Sequence, residues 1–432
     1  MDGNAFLYID PGTGSMLFSI VMGLVAAAYF MLKAAWIKIK FFFTGKLRGA
    51  SAAPRKHGIV IYSEGNQYWN VFSPILDEFE RRGVPVTYFT SSTGDPALTK
   101  EWRVVTPEFI GEGNKAFAKL NFLEANVCLM TTPGLDVYQL KRSRGVSHYA
   151  HVLHDVGDAT CYRLFSLDYF DSVILSGEYQ KKAIRELEAK RKLHEKELFV
   201  AGSTYLDMLG SRLSSMKRDK AASFTVLVSP SWGPSALLSR YGEKLLDPLV
   251  ETGLHVIVRP HPQSKKSESA MLSNLERRYE GRANLEWDYL SENIATLARS
   301  DVMISDFSGI IFDYAFLFDR PFFYAAADYD DEIYDSSDLE EKPWKFKAIA
   351  EMGIELSASM FPDIGNLVKS AATNPVLSDR RKAARETAWQ HRGDSAARIA
   401  DFLTEKQREL SCETSFSRSS SIRYGSSSSL ST

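Results

Sequence analysis

The sequence predicts an α/β protein of two Rossmann-like lobes preceded by one N-terminal transmembrane helix. Three observations lead there. From residue 58 onward, short apolar runs alternate with segments of helical periodicity, the pattern of a parallel sheet covered by helices. A charged stretch, 209–223, divides that alternation into two blocks. Ahead of both, residues 16–32 (MLFSIVMGLVAAAYFML) carry no charge.

The uncharged run resumes after Lys33 and gives a span of 16–37, close to the roughly 20 residues that cross a bilayer as a helix. A cleaved signal peptide needs basic residues before its apolar core, whereas here Asp2 and Asp10 lead and Lys33, Lys38, Lys40, Lys46, Arg48, Arg55 and Lys56 follow. By the positive-inside rule, residues 1–15 lie outside the inner (cytoplasmic) membrane, the chain is single-pass and the remainder is cytoplasmic. Trp36 and Phe41, Phe42 and Phe43 suit the interfacial belt. A buried core helix is the alternative.

A basic linker, 38–57, leads into the first lobe, 58–208. Residues 58–63 (GIVIYS) read as a buried strand, 70–82 as a helix stopped by Gly83, and 84–89 as the next strand. Further strands are expected at 127–131, 148–153, 172–175 and 198–201. The second lobe, 224–410, has strand patterns at 225–229, 255–259, 302–305 and 321–324. No repeat of fixed period is visible. The serine-dominated segment 411–432 has too little apolar content to pack and is expected to be a disordered tail.

Composition excludes several classes. Lys and Arg total 52 against 54 Asp and Glu, a net charge of -2 that gives no general pull toward nucleic acid. Cys128, Cys161 and Cys412 form no CxxC pair, which argues against a disulfide framework and a cysteine zinc site. No metal or other cofactor is expected.

Ligands of open α/β sheets bind beyond the carboxyl ends of strands, so candidate residues are sought there. Strand HVIVRP runs into Arg259, His261 and Gln263, where a guanidinium can grip phosphate oxygens and an imidazole can donate a hydrogen bond or a proton. A turn with a surface salt bridge is the alternative. After strand VMI, the segment SDFSGIIFDY opens an apolar helix: Asp306 or Ser308 can cap it, leaving the amides of Ser308, Gly309 and Ile310 as an anion cradle, and Gly309 lets a phosphate approach the backbone. Asp313 either meets a ribose hydroxyl or is solvated or paired. His154 ends a first-lobe strand beside Gly157 and is the candidate general base, or else a hydrogen-bonded structural histidine. His148, His151 and His154 cannot all converge on a metal, because residues three apart on a strand face opposite ways; His148 and His151 read as structural. Ser229 and Trp232, in SPSWG, offer a hydroxyl and a stacking surface to a nucleotide, and Gly202 with Ser203 reads as a crossover. The acidic run from Asp328 to Asp331, with Asp335, lacks the spacing of a calcium loop and reads as a solvated loop.

VSPSWG, VIVRPHP and LARSDVMISDFSGIIFDYAFLFDRPFFY, in this order, resemble the CDP-glycerol:poly(glycerophosphate) glycerophosphotransferases, a teichoic-acid-type family of two-lobed GT-B architecture. The resemblance spans about 224–324. It implies catalytic roles for His261 and His154, and donor-phosphate binding by Ser305, Asp306, Ser308 and Gly309. It also implies a CDP-activated donor, a lipid-linked or polymeric acceptor at the membrane, and release of CMP in cell-envelope polymer synthesis. Leu153-His154-Asp155-Val156 departs from the family's WHGT-like segment and leaves the acceptor open. The same lobes would serve a nucleotide-sugar glycosyltransferase or a non-catalytic membrane-bound binding protein.

Overall fold

The computed structural model describes residues 56–216, 223–290, 292–326, 332–373 and 375–424, with Met22, Val25, Ala28, Tyr29, Met31 and Leu32; side chains are described as far as Cys412, except that of Val376. The chain divides into two units, 1–55 and 56–432. In the first, the six described residues are helical and exposed. Among the described residues no helix is long and apolar enough to cross a membrane. Most of the expected span 16–37 and its basic linker lie outside them.

The second unit holds two parallel sheets. In the first, β1 (His57–Ser63), β2 (Val86–Thr90), β3 (Val105–Phe109), β4 (Ala125–Met130), β5 (Val146–Val152), β6 (Ser172–Leu175) and β7 (Glu197–Val200) lie in the order β3-β2-β1-β4-β5-β6-β7. The second contains β8 (Thr225–Val228), β9 (His255–Val258), β10 (Leu285–Trp287), β11 (Val302–Ser305), β12 (Phe322–Tyr324) and β13 (Ile354–Glu355), ordered β10-β9-β8-β11-β12-β13. Each sheet reverses its winding once, between β1 and β4 and between β8 and β11. Loops leaving the carboxyl ends of those strands diverge and open a crevice.

Apolar side chains pack on both faces of each sheet. Helix α1 (Trp69–Arg82) lays Val71, Phe72, Ile75, Leu76 and Phe79 on Ile59 and Ile61 of β1, and Gly83 in the left-handed region (φ 69°) ends it as expected. Helices α2 (Gln180–Arg191) and α3 (Thr204–Ser215) complete the first lobe's connections, Ser203 capping the latter through Leu206 N at 3.3 Å. In the second lobe, α4 (Leu237–Glu251) covers β8 and β9, while α5 (Ile310–Phe318) and α6 (Trp344–Met352) cover the opposite face with Met303 and Phe322.

The chain then crosses back. After α7 (Val376–Ala388), Asp207 of α3 accepts hydrogen bonds from Trp389 Nε1 at 2.8 Å, Gly393 N at 2.9 Å and the Ser395 hydroxyl. A side chain on Gly202, whose φ is +97°, would lie 2.3 Å from the Gln390 carbonyl, so only glycine permits this close passage. Helix α8 (Ser395–Tyr424) buries Ile399, Phe402 and Leu403 against the first lobe, each contributing about 2 kcal/mol. Two expectations are thereby corrected. The second lobe does not extend to residue 410, and the segment expected to be disordered from 411 continues as helix through Tyr424. Helix initiation is already met by the packed turns of 395–410, and serine is only mildly unfavourable in a helix extended from them.

A second tie runs from 332 to 345. Arg191 of α2, nearly buried, donates to Asp168 at 2.8 Å and to both Asp335 and Asp338 at 2.7 Å. Asp335 is therefore no solvated loop residue; it is buried, also accepts from Phe165 N at 2.7 Å, and burial raises its pKa to about 6 against the pull of Arg191. Asp328 to Asp331 lie outside the described residues. Arg191→Ala would strand two buried carboxylates, an expected loss of about 3–5 kcal/mol. Urea unfolding should show a smaller loss at pH 5 than at pH 8, because protonation relieves an unpaired Asp335.

Candidate functional site

The facing strand ends enclose one cavity of about 420 Å³. The first lobe contributes Gln67, Tyr68 and Val71 after β1, His154 and Asp155 after β5, and Tyr205 from the first turn of α3. From the second lobe come Ser229, Arg259, His261, Asn293, Ser308, Gly309, Ile310 and Asp313. Seven of the ten residues singled out from the sequence thus meet in one space. Ser305, Asp306 and Trp232 do not line it.

His261 sits in the turn after β9. The Gln263 amide donates to His261 Nδ1 at 3.1 Å, so the neutral ring carries its proton on Nε2. Burial holds its pKa below the ordinary imidazole value, partly opposed by Glu268, which favours this neutral, donating form at pH 7. Across the cavity, His154 Nδ1 lies 3.0 Å from the Tyr162 hydroxyl, and its Nε2 lies 3.9 Å from Asp155 Oδ2. The Tyr68 ring edge, 5.5 Å away, and the Tyr162 ring, stacked at 6.0 Å, fix the imidazole plane. His148 instead bonds Ser172 Oγ at 2.9 Å, and His151 is fully buried between Tyr162 and Phe170. The three histidines occupy three separate environments. Among the described residues, no group of three His, Cys, Asp or Glu side chains could hold a metal ion.

The segment after β11 differs in detail from a simple cap. Asp306 is buried, and its carboxylate accepts from Ser231 N at 2.9 Å, Leu237 N at 2.9 Å and Ser308 N at 3.1 Å. Burial raises its pKa against those bonds. Ser305 Oγ donates to the Ser229 carbonyl at 2.6 Å. Neither side chain lines the cavity; together they fasten the loops after β8 and β11 at the winding reversal. With the Ser308 amide taken, the amides of Gly309 and Ile310 remain without partners among the described residues at the start of α5. The anion cradle is therefore one amide shorter than the sequence suggested. A Cβ on Gly309 would meet only Asp155 Oδ2, at 3.7 Å, an ordinary contact. Gly309→Ala should keep the melting temperature and weaken binding of a diphosphate ligand, since the added methyl fills the cradle. Equal ligand-induced thermal stabilisation in both proteins would remove this role.

Arg259 also departs from expectation. Its Nη1 donates to Asp288 at 2.6 Å and its Nη2 to the Leu290 carbonyl at 2.7 Å, with Thr296 Oγ1 donating to the same Asp288 oxygen at 2.5 Å. The guanidinium lines the cavity while both terminal nitrogens are committed to a buried ion pair. It orders the loop after β10 and is not a free two-pronged phosphate clamp. Ser229 is buried at the rim, whereas Trp232 is half exposed, its ring centre 6.4 Å from that of His261.

Asp313 closes the floor. Its Oδ2 accepts from Tyr205 of the first lobe at 2.8 Å and from Asn293 at 3.3 Å. Burial raises its pKa to about 7, opposed by the Tyr205 hydrogen bond and reinforced by the Asp155 charge. Between an unfolded aspartate's roughly 3.9 and this value the folded protein binds the extra proton. Stability from this group therefore falls as pH rises through that window. Asp313→Asn, which can still accept from Tyr205, should gain stability relative to wild type between pH 5 and pH 8. Parallel melting curves across that range would contradict the assignment.

Sequence reading missed Asp155, Tyr205, Asn293, Gln67 and Tyr68. Gln67 and Tyr68 follow β1 at a winding reversal and Asp155 follows β5 beside His154, which were usable signals; Tyr205 and Asn293 enter through the packing of one lobe on the other.

Residues 235–350 match the profile of the family described as CDP-Glycerol:Poly(glycerophosphate) glycerophosphotransferase. This range includes the RPHP and SDFSGIIFDY segments but begins after VSPSWG. No curated protein matches the chain in sequence. Among solved structures, the wall teichoic acid polymerase TagF is similar in fold, with 14% identity, 82% of this chain and 89% of that chain covered, and a TM-score of 0.53. The UDP-GlcNAc 2-epimerase of Methanocaldococcus jannaschii, in complex with UDP-GlcNAc and UDP, shares 12% identity over 80% of this chain and 99% of its own, with a TM-score of 0.52. The epimerase of Neisseria meningitidis, bound to UDP-GlcNAc, gives 11%, 80%, 99% and 0.51. At such identities the likeness is one of fold, that of two-lobed GT-B proteins. The profile match falls in the second lobe and takes in two of the three segments on which the sequence resemblance rests, the RPHP and SDFSGIIFDY segments.

Proposed function

We propose, from a second lobe that carries the glycerophosphotransferase pattern, that this enzyme moves glycerol phosphate or a related alcohol phosphate from a CDP-linked donor to a hydroxyl of a membrane-associated acceptor. One observation carries the reading: two imidazoles from opposite lobes and the open amides of Gly309 and Ile310 line the same cavity.

The acceptor oxygen forms a bond to the phosphorus that bears the glycerol, and its proton passes to His154 Nε2. The bond from that phosphorus to the oxygen of CMP breaks, and CMP leaves with the electron pair. For Nε2 to accept a proton, Nδ1 must carry one, and the Tyr162 oxygen at 3.0 Å can accept it. Asp155, 3.9 Å from Nε2, can pair with the imidazolium that forms. His261, protonated on Nε2, donates to the departing phosphate. The start of α5 holds the diphosphate, with Ser308 as its side-chain hydroxyl. Ser229, Trp232 and Asp313 meet the nucleoside, and Arg259, Ser305 and Asp306 act on the loops that hold it. Positioning and charge stabilisation supply most of the catalysis in phosphoryl transfer, so few reactive side chains suffice.

An anchor at 16–37 would hold this cytoplasmic cavity beside a lipid-linked acceptor. Purified full-length protein given CDP-glycerol and a glycerol phosphate-primed lipid should release CMP in step with acceptor extension. Stabilisation by UDP-GlcNAc without any by CDP-glycerol would instead support a nucleotide-sugar enzyme.

A further inference from the structure

A second cavity, of about 220 Å³, adjoins the first. His154, Asp155 and Gly309 line both, so they form the shared wall. Beyond that wall the chamber is lined by Gly157, Asp158, Cys161, Tyr162, Phe312 and Lys345 among others. At roughly 30 Å³ per water its volume equals about seven waters, the scale of one small alcohol phosphate and too little for a nucleotide as well.

Lys345 brings positive charge to this chamber, and its place is built. Asp158, in the loop after β5, accepts from Trp344 N at 2.9 Å and Lys345 N at 2.8 Å, satisfying two open amides at the start of α6 from across the lobe boundary. Tyr179 packs 4.4 Å from the Trp344 ring and holds the same turn. The Lys345 ammonium lies 5.0 Å from the Phe346 ring and, among the described residues, makes no close ion pair; the Asp158 carboxylate, itself engaged by the two amides, feels its charge. A cation in the chamber whose wall holds the candidate base suits an anionic group on the molecule whose hydroxyl reacts.

We infer that the second chamber holds the terminal, phosphate-bearing unit of the acceptor, with its hydroxyl against His154 at the shared wall and its own phosphate against Lys345. The inference rests on the transferase reading of the first cavity. The proton of the bound hydroxyl then has its acceptor on the wall itself, and the oxygen faces the donor phosphorus beyond it. Asp158 is a positioning residue that sets Lys345 in reach.

The test uses full-length protein, CDP-glycerol as donor, and two soluble acceptors: a synthetic glycerol phosphate trimer and uncharged glycerol. Lys345→Gln should raise the KM for the trimer at least about tenfold, the scale of losing a charge-assisted hydrogen bond. The KM values for glycerol and for CDP-glycerol should stay within about twofold, and Lys345→Arg should restore most of the loss. An unchanged trimer KM, or a raised donor KM in its place, overturns the assignment. Calorimetry of the trimer without donor separates this from failure of the transferase reading. Binding that Lys345→Gln abolishes supports the chamber even if wild type transfers nothing, and absence of binding to wild type overturns it.

Discussion

His154→Ala is expected to lower CMP release by about 10²–10⁴-fold while leaving donor binding and the melting temperature nearly unchanged. The imidazole stands, with Asp155 and Gly309, in the wall common to both cavities, where a hydroxyl on one side and a phosphorus on the other can meet. Its side chain is about one-third exposed, and replacing it removes no core packing that would cost the fold. Tyr162→Phe should show a smaller loss of the same kind, since it removes the oxygen at 3.0 Å that fixes the tautomer while keeping the stacked ring. CMP release by either variant at the wild-type rate would exclude it from proton transfer.

His261→Ala is expected to cost a comparable factor, about 10²–10⁴, by a different route. Its Nδ1 is occupied by the Gln263 amide, so only Nε2 can serve the departing phosphate, and it does so as a donor. Because burial holds the pKa below the ordinary histidine value, the neutral donor persists at pH 7. In acid, protonation would set an N–H on Nδ1 against the Gln263 N–H and open the turn. Activity should therefore fall as pH drops below that lowered pKa. His261→Gln, which retains an amide donor near the same point, should recover part of the loss. A pH profile unchanged on the acid side in His261→Gln would show that another group titrates there.

Fold class was legible because the central strands, buried on both faces, are written as continuous apolar runs such as GIVIYS and HVIV. The edges were not. β3 contains Pro107 and is mostly exposed, β10 has three residues and β13 two; such strands form because a neighbour offers its backbone. The crossing of α8 to the first lobe was equally hidden, since Ile399, Phe402 and Leu403 announce an apolar face but not which sheet receives it.

Within the site, His154, His261 and Gly309 were legible because each follows a strand directly, where topology fixes a residue's place. Arg259 and Asp306 were recognised as important and misread in direction. Asp288 for one, and the Ser231 and Leu237 amides for the other, are distant in sequence, and no local pattern encodes their approach. Tyr205 and Lys345 reach their cavities only because the lobes pack as they do.

The central claim is that one cavity between the lobes brings a diphosphate under two imidazoles. A crystal structure of His154→Ala with CDP-glycerol tests it most directly, since that variant should bind without turning over. The account predicts the diphosphate over the amides of Gly309 and Ile310, with His261 Nε2 within hydrogen-bonding distance of a phosphate oxygen. A nucleotide bound elsewhere, with those amides and His261 facing solvent, would contradict it.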